Sequence, residues 1–195
     1  MYNPQEGEIY FDELPASKID LHLLRSSFSY VPQDVLLFSD TIRNNISFGN
    51  EKVKIESLDE AVKHACLQKE IDNMKDGLET IVGEKGVTLS GGQKQRVSIA
   101  RAILREESKI ALFDDCLSAV DAETEHILFN NLTSFLKQRT SILITHRLFN
   151  LTNYQRIIVL DEGKLVEEGS HIQLMEKKGK YYQLFLQQQN QQKAL

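Results

Sequence analysis

Apolar and polar positions along this chain change their spacing, and the changes divide the sequence. Gly7 to Asp12 (GEIYFD) reads as a short strand, and Phe28 to Val31 as another that ends at the break made by Pro32. From Thr41 to Arg105 the period becomes helical. Asp59 to Cys66 (DEAVKHAC) and Gly92 to Leu104 (GQKQRVSIARAIL) carry apolar residues at helical spacing, with Gly-containing loops between them, which predicts a helical insertion. Beyond it strands and helices alternate: Ile110 to Phe113 reads as a buried strand, Ala122 to Leu136 as a helix, and Ser141 to Thr145 and Arg156 to Leu160 as further strands. Such alternation predicts an α/β fold with a mainly parallel sheet covered by helices. Glu162-Gly163, set between Ile157–Leu160 and Lys164–Val166, predicts a hairpin turn, and closing helices begin at Ser170. The glutamine-rich stretch Gln187 to Gln192 predicts a frayed helix end, and no internal repeat is visible.

With 195 residues and 41% hydrophobic content the chain can bury one substantial core, as one domain or one domain with a subdomain. Its 23 basic and 28 acidic residues give a formal charge of -5, which offers no electrostatic footprint for nucleic acid or an anionic membrane surface. Nucleic acid is therefore not an expected partner. Cys66 and Cys116 lie far apart without C-x-x-C spacing and read as small apolar residues of a reduced intracellular protein. No apolar run approaches the roughly 18 residues of a membrane span, and the acidic start MYNPQEGEIYFDE is unlike a signal peptide. Any membrane association has to come through a partner or a segment absent from this chain.

Candidate chemistry concentrates in a few places. Leu89-Ser90-Gly91-Gly92-Gln93, followed by Lys94-Gln95-Arg96 and an apolar helical run, sets a serine and paired glycines at a helix start. Backbone N–H groups and a hydroxyl can then face an anion, which the helix dipole also favours. A Gly-rich turn capping a helix would explain the glycines alone; the full string LSGGQKQR is more specific. Ile110 to Asp115 is an apolar strand ending in paired carboxylates, an arrangement by which phosphate-handling α/β proteins hold Mg²⁺ with Asp114 and orient water with Asp115.

These strings resemble the signature motif and Walker B strand of ABC ATPases, and further landmarks follow in that family's order over nearly the whole chain. Tyr30-Val31-Pro32-Gln33 resembles the Q-loop, whose Gln helps coordinate Mg²⁺ and water. Ser118-Ala119-Val120-Asp121 resembles the D-loop, which crosses the dimer interface, and His146 matches the switch histidine that contacts the γ-phosphate. Gly83 to Gly86 and Leu37 to Ile46 resemble the exporter versions of their segments, which favours an exporter over an importer or a soluble ABC ATPase of translation or DNA repair. The resemblance implies a RecA-like P-loop NTPase core with a helical subdomain: a residual core with the Q-loop over 1–40, the helical subdomain over 41–105, and the remaining core with C-terminal helices over 106–195. It also implies ATP and Mg²⁺ as ligands of the complete protein, a transmembrane domain and a second cassette arranged head to tail as partners, and a place at the cytoplasmic face of a membrane.

The chain departs from the family pattern at two sites. The P-loop, G-x-x-x-x-G-K followed by Ser or Thr, occurs nowhere in the sequence, although the family sets it shortly before the position of Tyr2-Asn3-Pro4. Its backbone N–H groups and Lys would hold the β- and γ-phosphates, so the chain alone is expected to be inactive and, without the P-loop strand, marginally stable. Asp115 stands where competent members place Glu; one methylene shorter, its carboxylate sits back from the attacking water. With Cys116-Leu117 in place of Pro-Thr, this resembles the degenerate half of heterodimeric exporters. In that reading Ser90, Gly91, Gly92 and Gln93 serve the partner's site, while Asp114, Asp115, Gln33 and His146 line the weak one. The alternative is a non-catalytic module that lends only its signature motif to a complete cassette.

Overall fold

A computed structural model describes residues 4, 6–48, 50, 53–86, 88–152 and 154–193; Tyr2 and Asn3 lie outside the described residues. The chain forms two compact units, residues 1–144 and 145–195.

In the first unit β1 (Tyr10–Phe11) and β2 (Leu14–Pro15) make a minimal antiparallel pair. The strand expected over Gly7 to Asp12 shrinks to Tyr10–Phe11, because Gly7 (φ 80°) and Asp12 (φ 52°) both take left-handed backbone and turn the chain on either side of it. Asp20 then caps α1 (Leu21–Ser26) by accepting from Leu23 N–H at 2.9 Å. Next comes β3 (Phe28–Val31). The predicted helical insertion resolves into α2 (Ile42–Ile46), α3 (Ile55–His64), α4 (Gln68–Asp72) and α5 (Gly91–Ile103), with two short 3₁₀ turns between α4 and α5. It leads into β4 (Ile110–Asp114), α6 (Ala122–Lys137) and β5 (Thr140–Ile144).

The strands β3, β4 and β5 lie side by side in that order, all parallel, with Val31 opposite Phe113 and Asp114 opposite Ile144. Alternation gives the sheet its buried face: Ser29 and Val31 of β3 and Ala111 and Phe113 of β4 are fully or almost fully buried. Leu128 and Leu132 of α6, one turn apart, are buried, as are Leu58, Ala61 and Val62 of α3. α5 is buried nearly all round, by Val97, Ile99, Ala100 and Ala102. Buried Ser29 satisfies its hydroxyl by donating to Ala102 O at 2.7 Å, which pins the sheet to the end of α5. Among the described strands β5 pairs only with β4, and its Ile142 and Ile144 are each 49% exposed.

Asn45 organises the segment after β3. Its Oδ1 accepts from Phe38 N–H at 2.8 Å, its Nδ2 donates to Phe38 O and Thr41 O at 3.0 Å each, and the residue is 1% exposed. Its own carbonyl accepts from Arg101 Nε at 2.7 Å, so α2 is tied to α5. This loop also meets the turn before α5 through an isolated bridge of Thr41 with Ile81 and a bond from Val82 N–H to Asp40 O at 2.8 Å.

In the second unit β6 (Ile157–Asp161) and β7 (Lys164–Gly169) form an antiparallel hairpin. Glu162 (φ 47°) and Gly163 (φ 74°) both take left-handed backbone, as a tight two-residue turn requires. Ser170, where the closing helices are expected to begin, caps α7 (His171–Lys177) in a capping box with Gln173. Glu167 caps α8 (Lys180–Lys193), accepting from Lys180 and Tyr181 N–H at 2.6 and 2.9 Å. A Cβ at Gly179 would sit 1.8 Å from Glu167 Oε1, so only glycine permits that cap. The helix continues through the glutamine-rich stretch to Lys193.

Two outcomes follow from this packing. Asn45→Ala removes one buried acceptor and strands several backbone groups, and is expected to lower stability by about 2 kcal/mol in urea unfolding; an unchanged midpoint would contradict the role given to Asn45. Burial pushes the Cys116 thiol up to about 12. At pH 8 it is therefore neutral, and iodoacetamide should modify it only on unfolding; modification of the native chain at the unfolded rate would contradict its burial.

Candidate functional site

The start of α5 is built by a reciprocal cap. Ser90 Oγ accepts from Gln93 N–H at 3.2 Å, and Gln93 Oε1 accepts from Ser90 N–H at 2.9 Å. The sequence reading leaves all of these groups to an anion; the structure divides them. Gln93 N–H and Oε1 serve the cap, while the Gly91 and Gly92 N–H groups remain among the orphan donors of the first helical turn and the Ser90 O–H remains a donor. Ser90 and Gly91 are exposed and Gly92 is half-buried, so these donors face solvent at the positive end of a 13-residue helix.

Gly92 has a second reason to be glycine that its sequence neighbours do not reveal. A Cβ there would lie 2.7 Å from Ala119 O, and one at Gly91 would lie 3.4 Å from the Ala119 side chain. The first turn of α5 is thus seated directly against the loop that follows β4. The structure brings together the segments Ser90 to Gln93 and Ser118 to Asp121, which are distant in sequence.

That loop begins with the paired carboxylates. Asp114 is half-buried at the end of β4, and no other described residue forms a hydrogen bond or ion pair with its carboxylate. Its charge, together with burial as the larger cause, raises the Tyr30 hydroxyl above the usual tyrosine range. Asp115 takes left-handed backbone (φ 42°), its N–H donates to Ile144 O at 2.8 Å, and its carbonyl accepts from Ser118 Oγ at 2.9 Å. The carboxylate is therefore aimed by a fixed backbone rather than by a free loop. Asp121 caps α6 by accepting from Thr124 N–H at 2.9 Å, and the hydrogen bonds from Thr124 hold its carboxyl below the usual range.

Gln33 is exposed, two residues past the end of β3. Because Val31 is in register with Phe113, Gln33 and Asp114 leave neighbouring parallel strands at the same end of the sheet, where ligands bind in open α/β folds. A carboxylate and an amide oxygen there are the hard donors that suit Mg²⁺, so the residues present fit that ion. Among the described residues no cluster of three or more His, Cys, Asp or Glu side chains could hold a metal by itself. His146 belongs to the second unit, with its imidazole exposed. Its carbonyl accepts from Gln188 Nε2, and Gln188 Oε1 accepts from Leu148 N–H at 2.9 Å, so α8 fixes the 146–148 turn.

Sequence reasoning passed over Gln95, Arg96 and Asn45, polar residues that are 5%, 8% and 1% exposed. Only the unusual polarity of the LSGGQKQR helix start, ahead of an apolar run, hinted at the first two.

The comparisons with known proteins agree with this geometry. The family model described as ABC transporter matches residues 1–118. Over 188 residues the chain is 43% identical to the probable multidrug resistance ABC transporter ATP-binding/permease protein YheI of Bacillus subtilis, covering 96% of this chain and 32% of that protein. It is 43% identical over 183 residues to the ATP-dependent lipid A-core flippase 1 of Colwellia psychrerythraea, covering 94% of this chain and 30% of that protein. A solved structure described as a bacterial Atm1-family ABC exporter with ATP bound superposes with a TM-score of 0.92 at 38% identity, covering 96% of this chain and 33% of that one. The chain spans about a third of the length of the curated relatives it matches. Among the described residues no helix is long and apolar enough to cross a membrane. The chain belongs to the ABC transporter family and corresponds to the ATP-binding domain of its exporter type.

Proposed function

We propose that this chain works as one cassette of a membrane exporter, coupling ATP binding and hydrolysis to export from the cytoplasmic face. The observation that carries this reading is the first turn of α5, where Ser90, Gly91 and Gly92 offer a hydroxyl and orphan N–H groups to an anion while seated on the 118–119 loop. Ser90, Gly91 and Gly92, presented by the cap that Gln93 completes, contact the phosphates of ATP held by a partner cassette. Asp114 and Gln33 hold Mg²⁺ at this chain's own site, and the ion, when bound, neutralises charge on the phosphate oxygens. His146 donates to the γ-phosphate, and Ser118 and Asp121 lie along the boundary with the partner. Asp115 occupies the position of the base that aligns water, one methylene short of the usual carboxylate reach.

A heterodimer with one weak and one competent ATP site accounts for this combination, an intact signature segment beside a shortened base. The transmembrane partner fits the surface formed where the exporter-like segments Leu37 to Ile46 and Gly83 to Gly86 meet. Leu36, Phe38, Phe48 and Ile81 expose apolar side chains there, and the Phe38 and Phe48 rings stack at 4.5 Å.

In the assembled exporter, Ser90→Phe should remove most ATP turnover, on the order of 100-fold as expected for loss of a phosphate-stabilising donor, whereas Asp115→Ala removes much less. The reverse ranking would overturn the assignment of Ser90 to the competent site. The 195-residue chain by itself should bind ATP with a Kd above about 1 mM by calorimetry. A micromolar Kd would show that phosphate contacts other than a P-loop hold the nucleotide.

A further inference from the structure

Gln95 lies on α5 one turn beyond Gly91 and outside every group assigned above to the nucleotide. Both ends of its buried amide are used. Nε2 donates to Ser118 Oγ at 3.2 Å, Oε1 accepts from Ala119 N–H at 3.1 Å, and Ser118 Oγ passes its own proton on to Asp115 O at 2.9 Å. The directions are mutually consistent, and they require a side chain that donates and accepts at once. Glutamate could hold Ala119 but could not donate to Ser118; methionine could do neither. One turn earlier, Gly92 packs against Ala119 O. The loop 115–119 is thus strapped at one end to α5 and at the other, through Asp115 N–H and Ile144 O, to β5.

We propose that Gln95 is a positioning residue for ATP turnover, locking the 115–119 loop to the first turn of α5 so that Ser90–Gly92 and Ser118–Asp121 meet the partner cassette in one fixed geometry. This rests on the functional reading above. Gln95 acts through Ser118 and Ala119, so its loss moves the loop without removing any group that touches phosphate. The effect is therefore expected in the rate of turnover rather than in the binding of ATP.

The test is made on the assembled exporter, with Gln95→Met, Gln95→Glu, Ser118→Ala and the Gln95→Met/Ser118→Ala double variant. Gln95→Met should lower kcat about tenfold with KM for ATP within about twofold, and the losses of Gln95→Met and Ser118→Ala should fall short of adding in the double variant, since both substitutions break one chain of bonds. Hydrogen exchange at Ala119 should rise about tenfold in Gln95→Met, remain close to wild type in Gln95→Glu, and leave the β4 amides unchanged in both. Because Gln95→Glu keeps a polar, hydrogen-bonded side chain, it stands in should Gln95→Met fail to fold, with Ala119 protected and kcat reduced. An unchanged kcat per folded assembly, losses that add in the double variant, or an Ala119 amide unprotected in the wild type would each overturn the proposal. A wild-type assembly that protects Ala119 but hydrolyses no ATP would instead overturn the functional reading and leave the strap standing.

Discussion

A helix that must bury polar and apolar side chains side by side constrains everything around it. In α5 the residues Gln95, Arg96 and Ser98 are as inaccessible as Val97, Ile99 and Ala100. Leaving such a donor or acceptor unpaired costs about 1–3 kcal/mol, and more for a charge, so the surroundings have to supply partners in fixed positions. Gln95 finds them in the loop after β4. Arg96 finds them in the Glu70 carboxylate, Cys66 O and, at 3.4 Å, Gly92 O. Cys66 takes left-handed backbone (φ 55°), which turns the chain between α3 and α4 where its carbonyl meets the guanidinium. One helix therefore fixes α4 on one side and the carboxylate-bearing loop on the other.

The parallel sheet supplies the second half of the arrangement. Because β3, β4 and β5 run in register and in the same direction, whatever follows each strand emerges at one end. Gln33 and Asp114 share that end, and Asp115 is held there by a bond to the last residue of β5. Hard oxygen donors meet at the sheet's carboxyl end, and helix-start N–H donors lie beside the loop that continues from it. That combination suits a metal-bound polyphosphate shared between chains better than a small ligand enclosed within one.

Much of this was legible from spacing alone. The runs Ile110–Phe113 and Ala122–Leu136 match β4 and α6 to within a residue, since their periods are strict and their caps strong: Asp121 before α6, Ser170 before α7. The positions of Ser90, Gly91, Asp114 and Asp121 at element ends follow from the same signals. The roles of Gln95, Asn45 and Arg96 were not legible, because a buried polar residue is explained by partners as many as 30 positions away that no local pattern names. Gly92 is the instructive case. Its neighbours suggest a glycine kept for approach to phosphate, while the fold shows that Ala119 O already forbids a side chain there.

Asn45 and Gln95 do the same physical work at opposite ends of α5. Each is a buried carboxamide whose oxygen accepts one backbone N–H and whose nitrogen donates to a loop, and each ties a segment of irregular backbone to regular structure. Asn45 shapes the apolar surface around Phe38 and Phe48, to which α5 is joined through Arg101 Nε on Asn45 O. Gln95 shapes the surface around Ser118 and Ala119. A helix buried on every side from Gln95 to Ala100 bends little, so a displacement of the first surface has a rigid route to the second. In the exporter proposed above, which would link events at a membrane partner to events at a shared phosphate site, stiffness between these two carboxamides would do what a hinge could not.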